Sequence, residues 1–356
     1  MDRGEELKSL IKPLRLSMYD FREKDVKNQL SKIIDEHAII NLSHPFGEIN
    51  GPSKFYDQAL KPLYNSLPDL ERRDYIVISG KTDKDFEWVG CCGIYTGTFF
   101  APFLDIPPTG HIAHMRFHEF YLFSGNKIVE VQAIWDIPEL MMQANAWPMA
   151  PSLGREWCIP GPATMDGLSE IAIDNDKSLA STEIVINMLN AMKKYPSQGG
   201  PEVMEMTKYW HPRMNWYGPA GIGTGRGING FRNWHQIPFL NSMPDRGKST
   251  DDGMGKEISY HFFGDGDYVG VTGWPNMRQT ITHDGWMGIA PSNKKINLRS
   301  LDFWRIENGK IRENWVLVDL LHIYHQIGVD VFTRLSEFNK ARSFIGNKNY
   351  TGVENV

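Results

Sequence analysis

Cysteine is scarce in this chain, and its placement excludes more than its number does. Cys91, Cys92 and Cys158 are the only three, two of them adjacent, and no CxxC pair occurs. That pattern excludes a disulfide framework and the common zinc spacings. Long apolar runs are also missing: no stretch approaches the ~20 residues that a membrane-spanning helix needs. Nor is charge of one sign in excess. With 38 basic and 43 acidic residues the net charge is −5, which leaves no electrostatic footprint for nucleic acid. The opening residues, MDRGEELKSLIKPL, hold no apolar signal-peptide core. These absences predict a cytoplasmic protein of a reducing compartment, with neither nucleic acid nor membrane as partner.

Aromatic residues, by contrast, are plentiful. The 356 residues include 11 Trp, 13 Tyr and 18 Phe, which suits large apolar pockets and equally suits two large cores. The length itself suggests two domains.

The chain repeats itself. A shift of 183 lays residues 86–143 over 269–326 without a gap, pairing Arg116 with Arg299, Phe120 with Phe303, Glu130 with Glu313 and Asp136 with Asp319. Upstream, a shift of 176 lays GPSKFYDQALKPLYNSLPD over GINGFRNWHQIPFLNSMPD. The seven-residue difference falls near GKSTDDGMGKEI, a polar Gly-rich loop. A register kept over two blocks identifies a tandem duplication. The expected division is a first repeat over 1–145, a packed linker over 146–177, a second repeat over 178–340 and a tail over 341–356.

Each repeat reads in one order. Helices come first, DFREKDVKNQLSKIIDEHAII in the first half and STEIVINMLNAMKKYP with PEVMEMTKYW in the second. A short helix, a run of antiparallel strands and a closing helix follow. Asn308-Gly309 is the strongest hairpin signal, because both turn positions need φ > 0. Helices first and strands after predict an α+β unit.

The segments HPRMNWYGPAGIGTGRGINGF, the loops DIPPTGHI and GIAPSNKK, and DFWRIENGKIRENW leading to HQIG resemble the SnoaL-like group. These are polyketide-cyclase and ester-cyclase relatives within the nuclear transport factor 2-like fold. The resemblance implies two tandem cone-shaped half-barrels, each a curved antiparallel sheet packed on helices with a pocket in its mouth. It also implies cofactor-free aldol chemistry with an Asp as acid/base. The position of that Asp, six residues after the hairpin Lys, holds Val316 here and Ala133 in the first repeat. A pocket His position of the family holds Asp302, whose repeat counterpart is Glu119.

Residues directly opposed across a two-residue turn share a face. Trp304 is therefore expected to face Glu313, and Asp302 to face Trp315, with Asp319 continuing that face. In the first repeat Tyr121 should face Glu130, and Glu119 should face Gln132, with Asp136 following. A carboxylate in an aromatic, apolar site has its pKa raised and can serve as general acid or base. Asp302, Asp319, Glu119 and Asp136 are the candidates, with His211 of YWHPRM as an assisting proton shuttle. Asp136 and Asp319 have a second reading as helix caps. Trp216, Tyr217, Trp274 and Trp304, with His235 and His283, are candidate substrate-binding residues, as is Tyr121 in the first repeat.

His114 and His118, with Arg116 between them on one strand face, lack a third ligand, so no metal is expected. The Gly run after Tyr217 matches neither phosphate-binding pattern. No Ser-His-Asp or Cys-His arrangement can be argued from spacing. The expected function is a cofactor-independent acid/base enzyme on a small, largely apolar carbonyl compound, of cyclase, isomerase, dehydratase or lyase type. Two alternatives stay open: a non-catalytic small-molecule binding module, and a hydrolase using a carboxylate-activated water. The repeats should form an internal pseudo-dimer; whether it pairs further, as a homodimer, is open.

Overall fold

The hairpin turn forms as its residues require. Asn308 and Gly309 both adopt positive φ, 51° and 71°, and Glu307 pairs with Lys310. A computed structural model describes residues 2–169, 174–246 and 258–346, with side chains to 340. The predicted tail lies outside these residues except for the end of a helix reaching Gly346, and nearly all of the Gly-rich loop lies outside them.

Six strands build the first sheet: β1 (Ile34–Leu42), β2 (Gly47–Asn50), β3 (Glu71–Lys81), β4 (Glu87–Thr98), β5 (Ile112–Ser124) and β6 (Lys127–Trp135). Their order is β2-β1-β6-β5-β4-β3. The second repeat supplies β7 (Trp210–Tyr217), β8 (Gly225–Arg226), β9 (His261–Asp265), β10 (Tyr268–Thr272), β11 (Met277–Thr280), β12 (Lys295–Leu298), β13 (Ser300–Glu307) and β14 (Lys310–Val318). Its sheet runs β8-β7-β14-β13-β10-β9, with β11 and β12 as a separate ribbon. The two sheets share one topology, as a duplication demands.

Two features differ from the sequence reading. Residues 34–42, expected at the end of a helix, form β1, and Trp210, expected in a helix, begins β7. Both strands pair parallel to the last strand of their sheet, β1 with β6 and β7 with β14, so the sheets are not wholly antiparallel. IDEHAIINL lacks strict alternation, which is why periodicity misread it. The second difference is that β4 runs unbroken while its counterpart is interrupted between β10 and β11. Asn276 spans the gap, donating to Ser300 O at 2.7 Å and accepting from Ser300 N at 3.0 Å.

The sheets pack against each other through buried apolar residues of both repeats, among them Ile78, Phe120, Phe303, Trp315 and Leu317. Phe120 stacks on Phe303, its own repeat counterpart, at 4.8 Å between ring centroids. Two positions away, His118 Nδ1 donates to Leu301 O at 2.6 Å. Equivalent positions meeting each other is what an isologous interface requires. The result is two half-barrels of α+β class joined back to back, each with helices covering its other face.

Candidate functional site

A β-bulge decides which side chains share the pocket face. Register in β13/β14 shifts between Arg305 and Ile306. Beyond it, Trp304 pairs with Asn314, Phe303 with Trp315 and Asp302 with Val316. This corrects the expected pairing of Trp304 with Glu313 and of Asp302 with Trp315. The same shift in β5/β6 pairs Glu119 with Ala133 and Tyr121 with Val131, not with Gln132 and Glu130. A bulge adds one residue and so exchanges the faces beyond it. Glu313 consequently leaves the pocket face. It accepts from Arg305 Nε at 2.7 Å, Tyr217 OH at 3.1 Å and Ala163 N at 3.2 Å.

Asp302, Trp304, Asn314 and Val316 line a cavity in the second half-barrel, closed on its other sides by Trp210, Trp216, His235 and Phe239. The space open to the centre of a water-sized sphere is about 70 Å³, room for several waters at ~10–15 Å³ each. Asp302 is half-buried at its wall, and Ser300 Oγ donates to Oδ1 at 2.7 Å. Burial pushes the carboxyl up to about 7, against the opposing pull of Ser300 and Arg246.

His235 stands opposite in aromatic company. A π-helical turn, Arg232–Gln236, carries it, and the same turn recurs at Tyr56–Leu60 in the first repeat. Its ring stacks on Trp216 at 4.0 Å and 11° between planes. Burial, with Arg246 adding to it, pushes its pKa down to about 3, so the ring is neutral. Four buried polar atoms of residues that line the cavity have no hydrogen-bond partner in the fold: Trp210 Nε1, Trp304 Nε1, His235 Nδ1 and Gln236 Oε1. Each buried polar group left unpaired costs about 1–3 kcal/mol.

The equivalent place in the first repeat is filled. Phe117 and Trp135 are Cα partners there, and their counterparts Ser300 and Val318 are Cα partners beside the cavity. Two large rings in one repeat thus become a hydroxyl and an isopropyl group in the other. Glu119 is enclosed by four donors: Arg72 Nη1 at 2.5 Å, Tyr121 OH at 2.5 Å, Tyr95 OH at 2.9 Å and Trp135 Nε1 at 2.9 Å. Glu119 and Tyr121 therefore belong to a packed polar cluster.

The remaining candidates sit elsewhere. His211 is at the start of β7, where its Nδ1 accepts from Arg213 N at 3.1 Å. His283 is exposed beside Thr282 Oγ1 at 2.7 Å. Tyr217 and Trp274 pack between the sheets, with the Arg299 guanidinium 4.5 Å over the Trp274 ring. None of the four lines the cavity. Asp319 caps its helix, accepting from His322 N at 3.2 Å, and also takes Arg299 Nη1 at 3.2 Å and His44 N at 3.1 Å. Burial raises its pKa, against Arg299 and these N–H groups. Asp136 makes no cap bond, contrary to the capping reading; its carboxylate takes Arg116 Nη2 at 2.7 Å and Ala220 N at 2.9 Å. Sequence reasoning did not single out Ser300, Asn314, Arg246 or Gln236, though aligning Phe117 and Trp135 with Ser300 and Val318 marks where space opens.

Among the described residues no group of His, Cys, Asp and Glu could hold a metal ion, and no helix is long and apolar enough to cross a membrane.

A curved sheet covered by helices on one face is a half-barrel, here present twice, with a small cavity in the second. The family profile described as SnoaL-like polyketide cyclase matches residues 14–144 and 262–327, more than half of the chain. The chain belongs to that family, as a tandem duplication of its fold. Solved structures similar to it include AclR from Streptomyces galilaeus, with 16% identity over 41% of this chain and 89% of that one, TM-score 0.34. IdmH from Streptomyces antibioticus shows 17% identity over 39% and 99%, TM-score 0.33. A SnoaL-like polyketide cyclase from Agrobacterium tumefaciens shows 23% identity over 38% and 96%, TM-score 0.31. No curated protein matches the chain.

Proposed function

We propose that the second repeat is a cofactor-independent acid/base catalyst for a small, largely apolar carbonyl compound, with Asp302 moving the proton. The observation that carries this reading is the pairing of Asp302 with Val316. Val316 stands where related cyclases place their Asp, and directly opposed residues on a sheet have Cβ atoms about 4.5–5.5 Å apart. Asp302 therefore sits directly across the strand pair from that position, on the pocket face.

A carboxyl with a pKa of about 7 is partly ionised at neutral pH. As carboxylate, Asp302 takes a proton from the carbon beside the carbonyl; as the resulting acid, it returns one. The face of the Trp216–His235 stack supports an apolar body. A hydrolytic carboxylate pair finds no support, because Glu313 and Asp319 both turn to partners outside the cavity. In this reading the first repeat, over 1–145, is a structural partner.

The test is deuterium exchange in D2O with a panel of 1,3-diketones and β-keto esters, followed by NMR. Wild type should accelerate exchange at the acidic carbon for at least one compound, and Asp302→Asn should abolish that acceleration. Binding without exchange would leave a binding module instead.

A further inference from the structure

The two repeats carry one turn in two versions. In the first, the helix Lys61–Ser66 runs into Leu67-Pro68-Asp69-Leu70; in the second, Ile237–Ser242 runs into Met243-Pro244-Asp245-Arg246. Both turns are fastened alike. Asp69 takes Thr98 N at 2.6 Å and Thr98 Oγ1 at 2.8 Å, at the end of β4. Asp245 takes Thr280 N at 2.9 Å and Thr280 Oγ1 at 2.7 Å, at the end of β11. The residue after each aspartate is thus held in the same way, but its side chain differs. Leu70 is buried in the core. Arg246 is half-buried and lines the Asp302 cavity.

Three exchanges between the repeats therefore shape this cavity. Ser300 and Val318 make room where Phe117 and Trp135 leave none, and Arg246 brings a cation where Leu70 brings an apolar side chain. Among the described lining residues Arg246 is the only Lys or Arg. Its guanidinium stands 5.8 Å over the Phe239 ring, which also lines the cavity. It makes no ion pair among the described residues, and the Asp302 carboxyl takes Ser300 Oγ instead. A guanidinium is a planar fork that matches the two oxygens of a carboxylate, and it is more weakly hydrated than an ammonium. Both properties suit binding an anion against aromatic walls.

We propose that Arg246 binds a carboxylate group of the molecule held in the Asp302 cavity, so that the compounds it takes are keto acids with an apolar body. The carbonyl part of this inference rests on the acid/base reading of Asp302; the carboxylate part rests on Arg246 and its place in the duplication. Asp302 and Arg246 then divide the ligand between them, the first at the carbon beside the carbonyl and the second at the acid end.

The experiment uses the full chain. Titration calorimetry compares 4-oxopentanoate and 4-oxo-4-phenylbutanoate with their methyl esters at pH 7. At least one acid should bind roughly tenfold more tightly than its ester, the scale of a hydrogen bond to a charged group. Arg246→Gln should lose that preference, and Arg246→Lys should keep part of it. Equal affinity for acid and ester, binding of neither acid, or a preference unchanged in Arg246→Gln overturns the proposal. The wild-type comparison decides this even if Arg246→Gln does not fold. Proton exchange on the same compounds separates the two readings. An Arg246-dependent preference for the acid without exchange removes the catalyst and leaves the carboxylate site. Exchange on acid and ester alike, with equal affinity, does the reverse.

Discussion

The Asp136 carboxylate takes the backbone N–H of Ala220 across the repeat boundary, at 2.9 Å. Its counterpart Asp319 takes the backbone N–H of His44 at 3.1 Å, and His44 and Ala220 are themselves equivalent under the 176-residue shift. Each aspartate also binds the arginine of its own repeat, Arg116 or Arg299. The two form a pair of symmetry-related clamps, which explains their presence twice without catalysis.

Breaking a clamp should cost stability and leave the cavity chemistry in place. Asp136→Ala removes the partner of a buried guanidinium. Loss of one member of such a pair costs about 3–5 kcal/mol. Urea unfolding checks the loss. A cost under about 1 kcal/mol would mean that the clamp holds nothing together.

Much of this architecture was legible in the chain. The Asn308-Gly309 turn, the repeat registers and the carboxyl at Asp302 stand in plain sequence. The bulge at Arg305/Ile306 was not legible, since one extra residue in a strand leaves no mark in an alternating pattern, yet it decides that Glu313 faces away and Asp302 faces in. β1 and β7 were missed because short strands with charged residues resemble helix ends.

The difference between the repeats predicts how to close the cavity. Val318→Trp restores the ring that occupies this place in the first repeat, and Ser300→Phe restores the second. Val318→Trp should abolish ligand binding in the second repeat while far-UV circular dichroism stays unchanged. Titration calorimetry with any compound active in the exchange assay reads this directly. Undiminished affinity in the double variant would place the binding site elsewhere.

The sheet interface should be sensitive at its symmetry axis. Phe303 is fully buried and stacks on Phe120. Phe303→Ala removes that ring and should cost about 3–5 kcal/mol. A milder probe is Gly90→Ala, whose Cβ would approach both Phe120 and Phe303 to 2.9 Å. Both variants should lower the thermal midpoint. An unchanged midpoint for Phe303→Ala would show that the sheets do not depend on this contact.

Asp302 makes stability depend on pH in a stated direction. Its folded pKa, about 7, lies above the ~3.9 of an unfolded Asp. Between those values the folded state holds a proton that the unfolded state has lost. The stability linked to that proton is fully present below pH ~4 and is lost as pH rises through about 7. Asp302→Asn cannot ionise and escapes the loss. The variant should therefore gain on wild type from pH 4 to pH 8 in urea midpoint, and the difference should level off above pH 8. The same titration governs the chemistry: exchange catalysed by wild type should rise with pH through a midpoint near 7, as the carboxylate form appears. A pH-independent difference in midpoint, with exchange already maximal at pH 5, would mean a solvated carboxylate at Asp302 and would remove the proposed base.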